Sequence, residues 1–153
     1  MLGGTDPEEP VWSWAGDNRA VFWLRLEALE AGVHRWDAQG ALGTPESTDG
    51  ALAVDGIDPT IRWFLPVRRL RSTLPARSET YRFDQTDGPG TWSIQFDDGA
   101  VLAGTGSTDA HVVSSGTASE ILLYLWHRVP ASALSVTGDI EVLDRFDRLL
   151  PPL

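Results

Sequence analysis

The stretch from Val21 to Gln39 constrains the fold most, because its apolar residues recur with the period of an α-helix. These residues, which follow one another at intervals of four, three, four and three positions, are Phe22, Leu26, Leu29, Val33 and Trp36. The spacing predicts one apolar stripe along an amphipathic helix. Glu30 and His34 lie four positions apart beside that stripe, so they project from adjacent turns on the same side. A carboxylate and an imidazole placed in this way are two ligands for a zinc-like metal, which needs further donors from elsewhere.

Composition narrows the class of protein. The chain has 153 residues, of which 42% are hydrophobic and seven are tryptophan, so we expect a folded domain with a core. No apolar run reaches the length of a membrane span, and MLGGTDPEEP lacks the parts of a signal peptide; a cytoplasmic protein without membrane association is expected. The net charge of −10 argues against binding a nucleic-acid backbone. The absence of cysteine means that any thiol chemistry requires a cofactor.

The N-terminal third is predicted to consist of a lead-in and one long helix. Residues 1–16 are polar and rich in proline and glycine, so we expect them to be mobile. Residues 17–43 contain the helix, with Asp17 or Asn18 as its N-cap and Gly40 near its end.

A second helical stretch is predicted from Ser47 to Leu70. Gly56 and Pro59 interrupt its pattern, which indicates two shorter helices or a kink. The stretch closes with the basic run Arg68, Arg69 and Arg71. Two interpretations of this run stand: a solvated helix end that favours the helix dipole, or a small anion site.

From residue 78 the pattern changes to short β-rich segments separated by Asp-Gly turns, one of them at Asp98. The segments 80–83, 91–96 and 100–102 predict an antiparallel meander, and 111–113 a fourth short strand. A capping box at Thr117 and a helix start at Asp139 predict two further helices, with a short strand between them. Helices segregated to one face of an antiparallel sheet make an α+β fold.

Several segments of the chain resemble the mycothiol-dependent maleylpyruvate isomerase family of actinobacteria. They are FWLRLEALEAGVHRWDA, DGALAVDGID with RWFLP, GTWSIQF, ASEILLYLWHRVP and SVTGDIEVLDRF. The resemblance extends over about Val11 to Leu150 and is greatest in the C-terminal part. It implies that residues 17–43 correspond to the last helix of a DinB-like metal-binding bundle, and residues 44–153 to a sterol-carrier-like domain. The earlier bundle helices have no counterpart in the chain.

The resemblance also implies roles for particular residues. In the family, a glutamate and a histidine of the last bundle helix bind zinc with a histidine from an earlier helix. The first two match Glu30 and His34, and no position matches the third. An arginine that assists the substrate is matched by Arg128, which follows His127 where many relatives have glycine. The family's metal positions the thiol cofactor mycothiol, which adds to a double bond and allows cis–trans rotation.

Each candidate in the C-terminal part also has a structural interpretation. His111 lies on a predicted strand, where a histidine is more often structural. His127 ends a buried helix, where a protonated ring would interact favourably with the negative end of the helix dipole. Arg128 could equally bond the last carbonyls of that helix. For the pair in the first helix, the corresponding interpretation is a remnant of the metal site, exposed to solvent or hydrogen-bonded to Arg35 or Asp37.

Two functions follow from these observations. The first is an accessory or non-catalytic domain of the family that binds a small apolar or acidic ligand, or a partner protein. The alternative is a mycothiol-dependent isomerase or thiol transferase whose site for zinc or another divalent metal is completed by a partner chain or dimer mate. The apolar stripe of the first helix would be the contact surface for a second copy or for a separate helical bundle. The sequence alone does not assign the chain as an enzyme.

Overall fold

A computed structural model describes residue 4 and residues 6–97, 99–106 and 109–152. Residue 98, for which the sequence predicts a turn, and residues 1–3 and 5 of the predicted lead-in lie outside the described residues. The chain divides into two compact units, Met1–Thr48 and Asp49–Leu153.

The first unit is built on helix α1, Ala20–Ala41, which contains the whole stretch predicted to be helical. Four residues of the apolar stripe are buried and Trp36 is half-buried, as the helical period predicts. Phe22 packs edge-on against Trp14 and Trp23, with ring centroids 5.6 and 5.0 Å apart. The helix ends before Gly43, whose positive φ of 77° allows the chain to turn away.

The predicted N-cap of this helix was wrong. The N-cap is Arg19, which makes no capping hydrogen bond with its side chain. Asp17 instead accepts a hydrogen bond from the Arg19 guanidinium at 2.7 Å, and Asn18 accepts one from the backbone N–H of Ser13 at 2.8 Å. The two predicted caps are therefore used within the preceding segment, where Pro10 also forms an isolated antiparallel bridge with Arg19.

The second unit opens with a helical segment inside residues 47–70, where the sequence predicted two shorter helices or a kink. It comprises α2, Gly50–Pro59, then a π-helical turn over Thr60–Phe64, then α3, Leu65–Arg69. Asp49 caps α2 by accepting hydrogen bonds from the backbone N–H groups of Ala51 and Leu52. The π-helical turn begins directly after Pro59, which lacks the N–H that would continue the regular helical ladder.

A five-stranded sheet follows, with strand order β3-β2-β1-β4-β5. The strands are β1 Thr80–Gln85, β2 Thr91–Asp97, β3 Ala100–Thr105, β4 Val112–Gly116 and β5 Ser135–Gly138. The first three form the predicted antiparallel meander. The fourth strand lies on the far side of β1 and pairs with it in parallel, so the sheet is mixed, which the sequence did not indicate. The last strand pairs antiparallel with β4.

Helices α4, Ala118–Leu125, and α5, Ile140–Leu149, cover one face of this sheet. Between them and the sheet lies an aromatic core, in which Phe146 packs against Tyr81 at 4.8 Å and against Tyr124 at 5.7 Å between ring centroids. Both helices begin where predicted, α4 at a capping box formed by Thr117 and Glu120, and α5 after Asp139. This arrangement confirms the α+β fold with a meander packed against helices.

One buried ion pair joins α5 to the segment before the sheet. The Nε of Arg145 donates to Glu79 at 2.7 Å, and a second N–H donates to the carbonyl of Pro75 at 2.6 Å. Both charged side chains are buried, so each satisfies the other where water is excluded.

Candidate functional site

The two predicted metal ligands lie on adjacent turns of α1. The imidazole of His34 is exposed, and its Nδ1 lies 3.2 Å from a carboxylate oxygen of Asp37. Glu30 is partly exposed. Among the described residues, no three histidine or acidic side chains are grouped so as to hold a metal ion. Metal binding by Glu30 and His34 therefore remains a prediction that requires ligands from elsewhere.

The predicted substrate-assisting residue, Arg128, lies just beyond the C-terminus of α4. One guanidinium N–H donates to the carbonyl of Trp126 at 2.8 Å, as the helix-end interpretation predicted. The guanidinium carbon also lies 5.9 Å from the centroid of the Trp126 ring, within the range of a cation–π contact. Arg128 is half-buried, so it is available from the surface of this unit.

A second arginine contacts the same indole ring. The sequence analysis considered it only as part of a basic run and did not single it out. Arg68 of α3 is only 2% exposed, and its guanidinium carbon is 5.8 Å from the Trp126 centroid. Its Nη1 donates to the carbonyl of Leu125 at the end of α4. Its Nε–H is buried and has no hydrogen-bond partner among the described residues.

The charge of Arg68 is not neutralised within the part of the chain that the structure describes. Its contacts there are the Leu125 carbonyl and the face of Trp126, and no carboxylate pairs with it. Burial, and then the nearby positive charge of Arg128, lower the pKa of Arg68 to about 10, so the group stays protonated at neutral pH. Burying an ionised group without a counter-ion is unfavourable, and a buried donor without an acceptor adds to that cost. The cluster therefore combines a buried positive charge with a donor that is not hydrogen-bonded within the described residues.

The π-helical turn fixes the indole ring that both guanidinium groups contact. The indole Nε1–H donates to the hydroxyl of Thr60 at 2.9 Å, and that hydroxyl donates to the carbonyl of Gly56 at 2.8 Å. The ring of Phe64 packs against it at 5.0 Å between centroids. The C-cap residue of α4 is thus fixed by α2 and the segment that leads into α3. We refer to Arg68, Trp126 and Arg128 as the arginine–tryptophan cluster.

The two remaining candidate histidines have distinct environments. His111 accepts a hydrogen bond at Nδ1 from the backbone N–H of Thr80 at 3.1 Å, in agreement with its structural interpretation. His127 is half-buried, and its Nε2 lies 2.8 Å from the carbonyl oxygen of Leu150. Burial lowers the pKa of His127 below its ordinary value, and the charges of Arg68 and Arg128 act in the same direction. Desolvation thus favours the neutral imidazole over the protonated ring that the sequence suggested for this helix end.

The grooves described in the second unit are lined by residues outside the arginine–tryptophan cluster. The largest of those described is an open groove of about 570 Å³ between α2 and the turn from β1 to β2. Its lining includes Ala51, Val54 and Pro89, with Asp87 as one of its acidic groups. Asp87 is already used, since its carboxylate accepts the backbone N–H of Ala118 at the start of α4.

Comparisons with known proteins leave the family open. No family model and no curated protein matches the chain, so the maleylpyruvate isomerase family remains a prediction. Among solved structures, a UbiJ-SCP2 ubiquinone synthesis protein is 21% identical over 65% of this chain and 94% of its own, with a TM-score of 0.43. The sec-alkylsulfatase Pisa1 from Pseudomonas sp. is 14% identical over 88% of this chain and 30% of its own, with a TM-score of 0.43.

A double mutant of the same sulfatase is 17% identical, with a TM-score of 0.42; the match covers 49% of this chain and 13% of that one. All three TM-scores lie below 0.5, so these likenesses assign neither an activity nor a ligand. Among the described residues, no helix is long and apolar enough to cross a membrane.

Proposed function

We propose that this chain is a small-ligand-binding domain, and that its ligand is a small organic anion bound by Arg68 and Arg128 beside Trp126. The observation that carries the proposal is the buried Nε–H of Arg68, which is charged and has no acceptor among the described residues. Of the apolar and acidic ligands that the sequence left open, this environment favours the acidic one.

The chemistry of the free donor favours a carboxylate. In a guanidinium, Nε–H and one neighbouring N–H form an edge that pairs with two carboxylate oxygens at once. The opposite nitrogen of Arg68, Nη1, is already bonded to Leu125, so the edge that contains Nε is the one left for a ligand. Arg128 supplies a second positive charge at the same ring, from a half-buried position. The indole face adds an apolar surface on which the carbon skeleton of the anion packs.

The test observes the NMR signal of the Arg68 Nε–H group, the donor that has no acceptor among the described residues. The Nε–H group of each arginine gives its own signal in a ¹H–¹⁵N spectrum, and that of Arg68 should move on titration with acetate, benzoate, succinate or inorganic phosphate at constant ionic strength. Arg68→Met and Arg128→Met should each weaken binding by about tenfold or more, since each removes a charge-assisted contact. Arg62→Met is the matched control, because Arg62 is an exposed arginine paired with Asp58. If the Arg68 signal moves for none of these anions, or if Arg62→Met weakens binding as much, the proposal is wrong.

A second candidate function is the mycothiol-dependent isomerase or thiol transferase of the maleylpyruvate isomerase family, with zinc completed by another chain. The exposure of the His34 imidazole supports it, because a donor from a second copy or a helical-bundle partner can reach this ring. Elemental analysis and solution mass of one preparation test it together. Stoichiometric zinc in an oligomer or complex, lost in both Glu30→Ala and His34→Ala, would favour this function; a zinc-free monomer would exclude it for the chain alone.

A further inference from the structure

We propose that His127 is the positioning residue of the arginine–tryptophan cluster: its left-handed backbone turns Arg128 back onto Trp126, and its imidazole makes anion binding stronger as the pH falls. This inference rests on the proposed function, and it assigns a regulation to the same site.

The backbone of His127 has a conformation that side chains disfavour. Its φ is +56°, at the position after the helix C-cap where glycine is usual. The hydrogen bonds of a Schellman motif surround it: the N–H of His127 bonds the carbonyl of Tyr124 at 2.9 Å, and the N–H of Arg128 bonds that of Leu123 at 2.8 Å. A residue with a β-carbon persists in this conformation only when its surroundings hold it.

The imidazole is what holds it. The carbonyl oxygen of Leu150 can only accept a hydrogen bond, so the Nε2 of His127, 2.8 Å away, carries the hydrogen. Leu150 is the C-cap of α5, which means that the ring joins the end of α4 to the end of α5. In the neutral ring Nδ1 is then unprotonated, and it lies 3.8 Å from a carboxylate oxygen of Asp147.

The turn at His127 determines where the next side chain lies. The Arg128 guanidinium bonds the carbonyl of Trp126, two residues earlier, and lies at the same residue's ring. A side chain reaches back in this way because the left-handed residue reverses the chain direction between the two. The contact of Arg128 with the cluster thus depends on the conformation of a residue that itself need not touch the ligand.

The charges around the ring set the sign of the pH dependence. Arg68 from α3 and the adjacent Arg128 disfavour the imidazolium, whereas Asp147 from α5 and the Leu150 carbonyl favour it. An anion bound by the two guanidinium groups neutralises part of their repulsion of the imidazolium, so the pKa of His127 is higher with the anion than without it. Binding therefore takes up a proton. The gain in affinity is complete below the pKa of the free protein, which lies below 6.5, and is absent above the pKa of the complex.

The binding test uses benzoate, which stays largely ionised across the range studied, and the Kd is expressed for the ionised form. From pH 7.5 to pH 5.0, at constant ionic strength, the Kd of the wild type should fall by a factor on the order of five, as expected for one added charge close to the ligand. His127→Gly keeps the left-handed turn and removes the ring, so it should bind like the wild type at pH 7.5 and show no pH dependence. His127→Ala lacks the ring that holds the turn and still has a β-carbon that disfavours it. It should therefore bind about fivefold or more weakly than His127→Gly at both pH values.

His111→Asn is the matched control, because it also removes an imidazole from this unit, but one whose ring bonds the backbone of Thr80. It should leave the pH dependence unchanged. A wild type that binds benzoate with the same Kd at both pH values would overturn the inference. So would His127→Gly with the full pH dependence, or His127→Ala that binds as tightly as His127→Gly.

A measurement without ligand separates this inference from the proposed function. In the free protein, Arg68→Met and Arg128→Met should each raise the pKa of His127 measured from its ring resonances, because each removes a positive charge that disfavours protonation. An unchanged pKa in both variants would show that His127 does not sense the cluster. If the wild type binds no anion yet both variants raise that pKa, the proposed function fails and the electrostatic coupling of His127 to the cluster stands.

Discussion

Replacing Arg68 by methionine should stabilise the protein while weakening anion binding. The pKa of Arg68 is lowered from its ordinary value to about 10, and this difference corresponds to about 3 kcal/mol by which the folded chain disfavours the charge. Methionine fills similar space without a charge. The substitution also leaves the Leu125 carbonyl without its donor, which costs about 1 to 2 kcal/mol. The expected net gain in the free energy of unfolding is about 1 to 2 kcal/mol.

Urea unfolding at pH 7, in the absence of organic acids, measures this gain. In a thermal melt it corresponds to an increase in Tm of about 2 to 8 °C for a chain of this size. Arg62→Met changes the net charge equally but replaces an exposed arginine, so it should change the free energy of unfolding by no more than about 0.5 kcal/mol. If Arg68→Met destabilises the protein by more than 1 kcal/mol or so, the guanidinium is a structural group and the argument for a ligand is refuted.

Three further changes test the structure around the site. Thr117→Ala removes one side of the capping box of α4 and should lower the free energy of unfolding by about 1 kcal/mol in denaturant titrations, whereas Thr117→Ser should be nearly neutral. Arg145→Met leaves Glu79 buried and unpaired and should cost about 3 to 5 kcal/mol. Burial opposes ionisation of Glu79, but hydrogen bonds from backbone N–H groups and from Arg145 outweigh it and lower the pKa of Glu79. The free energy of unfolding should therefore fall as the pH drops below 4.5. It should fall less steeply in Arg145→Met. Gly43→Ala, at φ of +77°, should cost about 1 kcal/mol in thermal melts, and Gly40→Ala, in the helix, should not.

Local patterns of the sequence predicted the elements well, because those elements depend on neighbouring residues. The period of four and three positions located α1, and the capping box at Thr117 located the start of α4. The parallel pairing of β4 with β1 was not predicted, since it joins strands that are about thirty residues apart and nothing within either strand encodes it. The N-cap at Arg19 was missed for a related reason: Asp17 and Asn18 have the right chemistry but are bonded to other groups.

The candidate site was only partly predictable. The basic run Arg68, Arg69 and Arg71 was open to two interpretations, and the sequence does contain a signal that separates its members. Arg68 follows Ile61, Phe64 and Leu65 at intervals that continue the same apolar stripe, so its side chain falls on the buried side of the helix. An ionisable residue in an apolar stripe is the pattern that indicates a buried charge. Trp126 and Arg128 lie near Arg68 because of tertiary packing between segments about sixty residues apart. No local pattern predicts this.

The contacts of the cluster also join the helices around it. Arg68 bonds the end of α4, and Trp126 of that same end bonds Thr60, so the ligand's contacts are also contacts between helices. An anion at a hundredfold its Kd stabilises the folded state by about 2.7 kcal/mol, which is close to the cost of about 3 kcal/mol calculated for the bare charge. The wild type should therefore be less stable than Arg68→Met without the anion and at least equally stable with it. If the difference in the free energy of unfolding between the two proteins is the same at all anion concentrations, the anion does not neutralise Arg68, and this buried charge has another role.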